Sequence, residues 1–193
     1  FNAEKMEGTN TNSSLFKNNN QPIDKYKKFI KKLYHRWTSY DSNFIIREFS
    51  GVLETIIYEM KNPKSTTYNS LIDPFANITI SKNGEVFTFS PEFASGNNES
   101  LNYFSLGNIT EVESFDEFQF TKKFKHLYEN IMLGVKNCAE TCMYFDFCGG
   151  GSPSSKYYEN KSLTSTSTNQ CLTQKKIMLD TVLNEHSNMG ISC

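Results

Sequence analysis

Four of the five cysteines in this chain fall close together in its second half. They are Cys138, Cys142, Cys148 and Cys171, and three glycines follow Cys148 directly. Thiolate sulfur is a soft ligand, so four cysteines brought together can complete the coordination of a zinc ion or of an iron–sulfur cluster. The grouping predicts a metal centre, with disulfides or free thiols as the alternative.

The spacing of these cysteines favours a cluster over a zinc ion. Three residues separate Cys138 from Cys142, and five separate Cys142 from Cys148. Zinc ribbons usually repeat a pair of cysteines two residues apart. An iron–sulfur cube is larger than one zinc ion, so uneven loops can wrap around it, and the glycines let backbone N–H groups approach its sulfides. We therefore favour a cluster, with zinc second.

The residues around the cysteines resemble a known family. The segment Cys138–Asn160, which reads CAETCMYFDFCGGGSPSSKYYEN, and the following Thr164–Cys171 resemble the SPASM region of radical S-adenosylmethionine (SAM) peptide maturases. The similarity is greatest to maturases that build cyclophane or related crosslinks on aromatic residues of ribosomally made precursor peptides. Residues Phe87–Glu92 and Leu106–Ile109 are similar to the lead-in of that region, and Trp37–Phe49 resembles the end of a radical SAM barrel.

This resemblance implies one auxiliary 4Fe–4S cluster, held by Cys138, Cys142, Cys148 and Cys171 with no open iron. Cysteines for a first auxiliary cluster are missing upstream, and Ser152 stands where the family pattern has a further cysteine. The three-cysteine loop that binds the SAM cluster is also missing. The chain is thus expected to be inactive alone, with SAM and its 4Fe–4S cluster supplied by the complete enzyme.

The family implies a precursor peptide as substrate and the cytoplasm as location. The missing radical-generating half would belong to a longer protein or to a second chain of a split enzyme. The rival hypothesis is a non-enzymatic four-cysteine module, in which zinc or a structural cluster holds the fold and a partner binds the edge of a hairpin. The identity of the metal separates the two hypotheses.

Charge and hydropathy give no sign of nucleic acid or membrane as a partner. Twenty basic and twenty-one acidic residues leave a formal charge of −1. The basic stretch Lys25–Arg36 alternates with apolar residues at helical spacing, so it predicts the solvated face of a packed helix. No apolar run approaches the roughly 20 residues of a membrane span.

Hydrophobic periodicity predicts an α+β fold. The predicted elements are a helix over 22–39, a buried strand over Phe44–Phe49, a helix capped by Ser50, a hairpin turning at Asn83-Gly84, a helix running into Gly134, and a last helix from Leu172 to Leu183. Helix, strand and helix in succession fit the C-terminal remnant of a βα barrel. A cysteine-rich SPASM-like module with flanking helices then follows.

The predicted organisation has four parts. Residues 1–21 form a disordered polar leader, 22–75 the end of the barrel, 76–186 the auxiliary-cluster domain and 187–193 a tail. Outside the cysteines, the histidines and the Arg47–Glu48 pair are interpreted as structural, and three aromatic residues are expected to shield the cluster from water: Tyr144, Phe145 and Phe147.

Overall fold

The computed structural model describes residues 21–40, 44–63, 65–95 and 98–188. Residues 1–20 of the predicted leader over 1–21, and also Cys193, lie outside the described residues, while Gln21 belongs to the first helix. The first described element is helix α1 (Gln21–Ser39) and the second is helix α2 (Arg47–Lys61). Both are amphipathic, and α1 confirms the predicted first helix to within one residue. Pro22 lies in its first turn, where a missing N–H costs nothing.

The predicted strand over Phe44–Phe49 is wrong. Residues 44–46 have no regular structure, and α2 begins at Arg47, before the predicted cap at Ser50. Phe44 and Ile45 are 51% and 76% exposed, whereas Phe49 is fully buried on the inner face of α2. A strand needs a neighbour for its backbone hydrogen bonds. In the described part of the chain none pairs with this segment, and the apolar spacing from Phe49 onward continues as a helix.

The predicted hairpin is confirmed. Strand β1 (Ile78–Ile80) pairs antiparallel with β2 (Glu85–Thr88), and β3 (Gly107–Asn108) pairs antiparallel with the other edge of β2. The turn needs glycine because Gly84 has φ of +85°. The sheet order is β1-β2-β3. Mixed helices and one small antiparallel sheet confirm the α+β class for the residues that the structure describes.

Helices make up most of the remainder. Helix α3 (Asn98–Phe104) follows the hairpin, and helix α4 (Lys122–Thr141) continues past Gly134 to carry Cys138 in its last turns. The later elements are α5 (Phe145–Cys148), α6 (Pro153–Asn160), α7 (Asn169–Cys171), a π-helical turn (Leu172–Lys176) and α8 (Ile177–Asn188). Short 3₁₀ turns lie at Pro91–Ala94, Ile109–Glu111 and Phe115–Phe120.

Two groups of buried apolar side chains hold these elements together. The sheet core joins β2, α3 and α4 and includes Val86, Phe87, Phe89, Phe93, Phe104, Phe118, Leu127, Ile131 and Tyr158. The helical core joins α1, α2, α5 and α8 and includes Ile30, Tyr34, Phe49, Val52, Phe147, Met178, Leu179 and Val182. Helices α1 and α2 are therefore anchored on the last helix of the chain. Among the described helices, none has both the length and the apolar character of a membrane span.

The backbone of α4 approaches another segment very closely at Gly134. A Cβ built on Gly134 would lie 2.2 Å from the carbonyl oxygen of Leu163, which is far inside van der Waals contact. Gly51 is also helical, but nothing lies within 4 Å of a Cβ built there. The two glycines therefore form a matched pair for measuring this approach.

We expect Gly134→Ala to lower the free energy of unfolding by about 1–3 kcal/mol, because α4 must move away from Leu163. Gly51→Ala should instead raise it by about 0.5–1 kcal/mol through helix propensity alone. Urea denaturation followed by circular dichroism measures both. A Gly134→Ala protein as stable as the wild type would show that the two segments are not in contact.

Candidate metal centre

The structure brings the four predicted cysteines to one cavity. Cys138 lies in the last turns of α4, Cys142 just beyond its end, Cys148 at the end of α5 and Cys171 at the end of α7. All four are free thiols. We call the space between them the cysteine cavity; its other lining residues are Tyr144, Phe145, Gly150, Gly151, Ser152, Lys156, Thr166, Ser167, Thr168 and Lys175.

The glycine run after Cys148 is required by backbone geometry. Gly149, Gly150 and Gly151 have φ of +64°, +99° and +75°. A Cβ on Gly149 would lie 2.5 Å from the Thr67 carbonyl oxygen, and one on Gly150 would lie 3.0 Å from the Val135 side chain. From the sequence, we expect the N–H groups of this run to approach cluster sulfides. The N–H of Gly149 instead donates to the Phe145 carbonyl oxygen at 2.7 Å.

Asn69 holds the glycine run in place. Its Nδ2 donates to the carbonyl oxygens of Gly149 at 3.1 Å and of Gly151 at 2.8 Å. Nearby, the Thr67 N–H donates to the Asp146 carbonyl oxygen at 2.7 Å. The segment before the hairpin therefore fixes the turn that carries Cys148. The sequence does not predict this role, because the residues that Asn69 contacts are about 80 positions away in the chain.

Cys171 is fixed by capping of its own short helix. The Thr168 Oγ1 accepts from the Cys171 N–H at 2.9 Å. The Glu159 carboxylate accepts from the N–H groups of Gln170, at 3.2 Å, and of Asn169. A carboxylate at a helix N-terminus also interacts favourably with the helix dipole. Glu159 belongs to the segment that carries the family resemblance, but its capping role was not predicted because it depends on how α6 and α7 meet.

The Cys171 thiol responds to its surroundings. Burial raises the pKa of the Cys171 thiol, and the nearby Cys148 and Cys142 raise it further, while Lys176 acts in the opposite direction. This effect requires Cys148 and Cys142 to lie near Cys171. Cys138 is the most buried of the four and is 7% exposed.

The donors do not close around a single point. In the described ranges, no three His, Cys, Asp or Glu side chains are close enough together to hold one metal ion. A tetrahedral zinc site with Zn–S bonds of about 2.3 Å would hold its sulfurs roughly 3.8 Å apart. The thiols instead border the cysteine cavity.

A larger cavity of about 440 Å³ adjoins the cysteines between α1, α2 and the start of the last helix. We call it the helical cavity. Arg47 and Glu48 stand on its lining as an exposed ion pair, with the Arg47 guanidinium 3.3 Å from the Glu48 carboxylate. Its apolar wall includes Ile30, Phe49 and Met178, and Lys175 borders both cavities.

The aromatic residues between the cysteines divide between the two cavities. Tyr144 and Phe145 line the cysteine cavity, whereas Phe147 is buried in the helical core and faces the helical cavity. Shielding of a cluster by these three residues stays a prediction. Helix α5 is only one turn long, so successive side chains point to different sides of it. The Tyr144 hydroxyl donates to the Asp180 carboxylate at 2.9 Å, which ties the cavity wall to α8.

The histidines have structural surroundings. His35 contacts the buried Glu185 carboxylate, which also pairs with Lys31 at 2.9 Å, so this group joins α1 to α8. His126 is exposed beside Asn130. Both lie outside the lining of the cysteine cavity. The side chain of His186 lies outside the described part of the chain.

Comparison with known proteins finds a relative in Synechocystis sp. The chain is 36% identical over 171 residues to a protein from that organism whose name is "Uncharacterized protein sll1766". The match covers 89% of this chain and 41% of the relative, so the chain spans about two fifths of that protein's length. No family model matches the chain, and no solved structure matches it.

We expect Asn69→Ala to lower the free energy of unfolding by about 1–3 kcal/mol, because two carbonyl oxygens lose their donor. The turn carrying Cys148 should also loosen. Urea denaturation tests the first effect, and the alkylation rate of Cys148, followed by peptide mass spectrometry, tests the second.

The control is Asn62→Ala. The Asn62 side chain makes one exposed local hydrogen bond, to the Tyr58 carbonyl oxygen. This substitution should change stability by less than about 0.5 kcal/mol. Equal effects of the two substitutions would contradict the role of Asn69.

Proposed function

We propose that this chain is the C-terminal auxiliary-cluster portion of a radical SAM enzyme that modifies or crosslinks side chains of a ribosomally made precursor peptide. Its cysteines Cys138, Cys142, Cys148 and Cys171 would hold one 4Fe–4S cluster. The observation that carries this proposal is that the four cysteines of the SPASM-like segment, contributed by separate elements, line one cavity as free thiols.

Two features of the cavity support a cluster over zinc. The four cysteines lie at or near the ends of three helices and line one shared space, as loops of uneven length around a cube would place them. Gly150 and Gly151 have positive φ, and their backbone borders that space. Both features agree with the preference for a cluster over zinc that the irregular spacing of the cysteines indicates.

Four thiolates fill one ligand position on each iron of a cube, so no iron remains open for SAM. When bound, such a cluster supplies one-electron redox chemistry close to the substrate. The contribution of this chain is to hold the four thiolates in place and to keep water away from them. Tyr144 and Phe145 supply aromatic walls for this purpose.

In this proposal, a longer protein or a second chain supplies the part that generates the radical. The relative from Synechocystis extends over more than twice the length that this chain spans. A longer protein of that kind has room for a barrel with its own SAM cluster. We propose that α1 and α2 form the end of such a barrel, and that a cytoplasmic complete enzyme or a split partner supplies the remainder.

The helical cavity supports a peptide as the substrate. Its volume of about 440 Å³ lies within the range of ligand sites, and its wall combines apolar side chains with Arg47 and Glu48. Lys175 lines both cavities, and Phe147, next to Cys148 in the chain, lines the helical cavity. We propose that it receives an apolar or aromatic side chain of the precursor.

A non-enzymatic binding module is the second candidate. Strand β1 lies at the edge of the sheet, and its Ile78 and Ile80 are 43% and 48% exposed. An exposed apolar edge strand can accept an extended peptide by β-augmentation. In this reading the cysteines would hold a structural metal and the chain would have no part in radical chemistry.

Anaerobic reconstitution with iron and sulfide tests the proposal first. The chain should bind about four irons and four sulfides, as expected for one cube. It should also show a broad charge-transfer absorption that bleaches on reduction. Cys148→Ala should lose the cluster because one corner has no ligand. Cys193→Ala is the matched control and should retain it.

Binding of zinc in place of a cluster would contradict the proposal. Tight binding of one zinc per chain, with no cluster formed under any reconstitution condition, would eliminate the radical SAM assignment. It would support the binding module instead. A cluster that survives in Cys148→Ala would show that the ligand set is wrong while leaving the cofactor in place.

Addition of SAM to the reduced, reconstituted chain gives an independent test. The electron paramagnetic resonance spectrum should stay unchanged and no 5′-deoxyadenosine should form, because four cysteines leave no iron open to the amino and carboxylate groups of SAM. A SAM-induced shift of the g values would mean that one iron lacks a cysteine ligand, which would contradict an auxiliary cluster with complete coordination.

A further inference from the structure

Lys156 is a buried lysine beside the cysteine cavity. It lies on α6, is 4% exposed and lines the cavity together with the four cysteines. Its Nζ donates to the Cys138 sulfur at 3.4 Å and to the Gly134 carbonyl oxygen at 3.0 Å. The ammonium therefore touches one thiol of the predicted ligand set from the protein side of the cavity.

Burial of this ammonium needs a compensating negative charge. Within the described ranges no carboxylate forms an ion pair with Lys156, although Lys31 and Lys136 both have one. A buried cation without a counter-ion carries a large desolvation penalty, which one neutral carbonyl oxygen cannot offset. The ammonium also contacts the Cys138 sulfur. When the proposed cluster is bound, the Cys138 ligand sulfur supplies a negative charge at this position.

We propose that Lys156 is the counter-ion of the thiolate centre and that it raises the reduction potential of the bound cluster. The inference rests on the proposed function, because it requires the cluster to be present. Four thiolates on an oxidised cube with two positive charges give a net charge of −2, and reduction takes this to −3. A fixed positive charge at 3.4 Å from one ligand sulfur favours the more negative state.

The position of Lys156 suits this role better than that of other lysines. Lys175 also lines the cysteine cavity, but its Nζ lies over the Phe147 ring at 5.9 Å. Lys136 is only two residues from Cys138 in the sequence, yet it is 69% exposed and pairs with Glu140 at 3.7 Å. Solvent and salt screen such an exposed charge. Lys136 therefore serves as a matched control for Lys156.

The test is an electron paramagnetic resonance redox titration of the reconstituted full chain. Lys156→Met keeps the approximate length of the side chain but removes its charge, so the midpoint potential should fall. We expect at least a tenfold change in the reduction equilibrium, which is about 59 mV for one electron. Lys156→Arg should stay near the wild-type value, and Lys136→Met should not change it.

Iron counts separate the outcomes. A Lys156→Met protein with about four irons and an unchanged potential would overturn the counter-ion role. If the wild-type chain never forms a cluster, the proposed function fails first, and Lys156 is not at issue. If Lys156→Met alone fails to fold or to bind iron, the Lys156→Arg and Lys136→Met potentials still decide: a large fall in the arginine variant, or an equal fall in both, would contradict the proposal.

A measurement on the wild-type chain avoids substitutions altogether. Labelling lysine side chains with ¹⁵N at Nζ should give a ¹⁵N coupling to the reduced cluster in pulsed paramagnetic resonance, because Lys156 Nζ is hydrogen-bonded to a ligand sulfur. The coupling should be absent from Lys156→Met and retained in Lys136→Met. A reduced wild-type cluster without this coupling would show that the ammonium does not contact the ligand.

Discussion

The close approach of α4 to residues 161–168 is the constraint on which the cysteine cavity depends. Gly134 lets the α4 backbone pass against the Leu163 carbonyl oxygen, and Asn137 Nδ2 donates to the Thr164 carbonyl oxygen at 3.0 Å one turn later. Cys138 follows on the same helix, and Cys171 follows this segment in the chain. The distance between α4 and the segment therefore sets where the first and last thiols can meet.

Polar contacts from distant segments complete the cavity. Asn69 fixes the glycine run after Cys148, and Glu159 caps the short helix that ends at Cys171. Each contact satisfies backbone groups that would otherwise be unpaired near a cavity. Lys156 adds a buried cation that contacts the Cys138 sulfur and a backbone carbonyl oxygen. The same network that shapes the cavity thus also sets its charge.

The helical core couples α1 and α2 to the cysteine region. Phe147 precedes Cys148 and packs among side chains of α1, α2 and α8, and Tyr144 is bonded to Asp180 of α8. Movement of α1 and α2 would therefore displace the turn between Cys142 and Cys148. Phe44 and Ile45, just before α2, are exposed apolar residues, and such a surface can pack against another part of a protein. The proposed barrel would cover this surface.

Local spacing and turn chemistry were enough to predict the helices with strong 3.6-residue periodicity, the hairpin at Gly84 and the grouping of four cysteines. They were not enough for Phe44–Phe49, since a short apolar run fits a strand or a helix until its neighbours are known. Long-range packing makes the four thiols share one cavity, places Asn69 and Glu159 where they hold them, and buries Lys156 against Cys138. These contacts join residues 10 to 82 positions apart, and no periodicity in the sequence records such pairings.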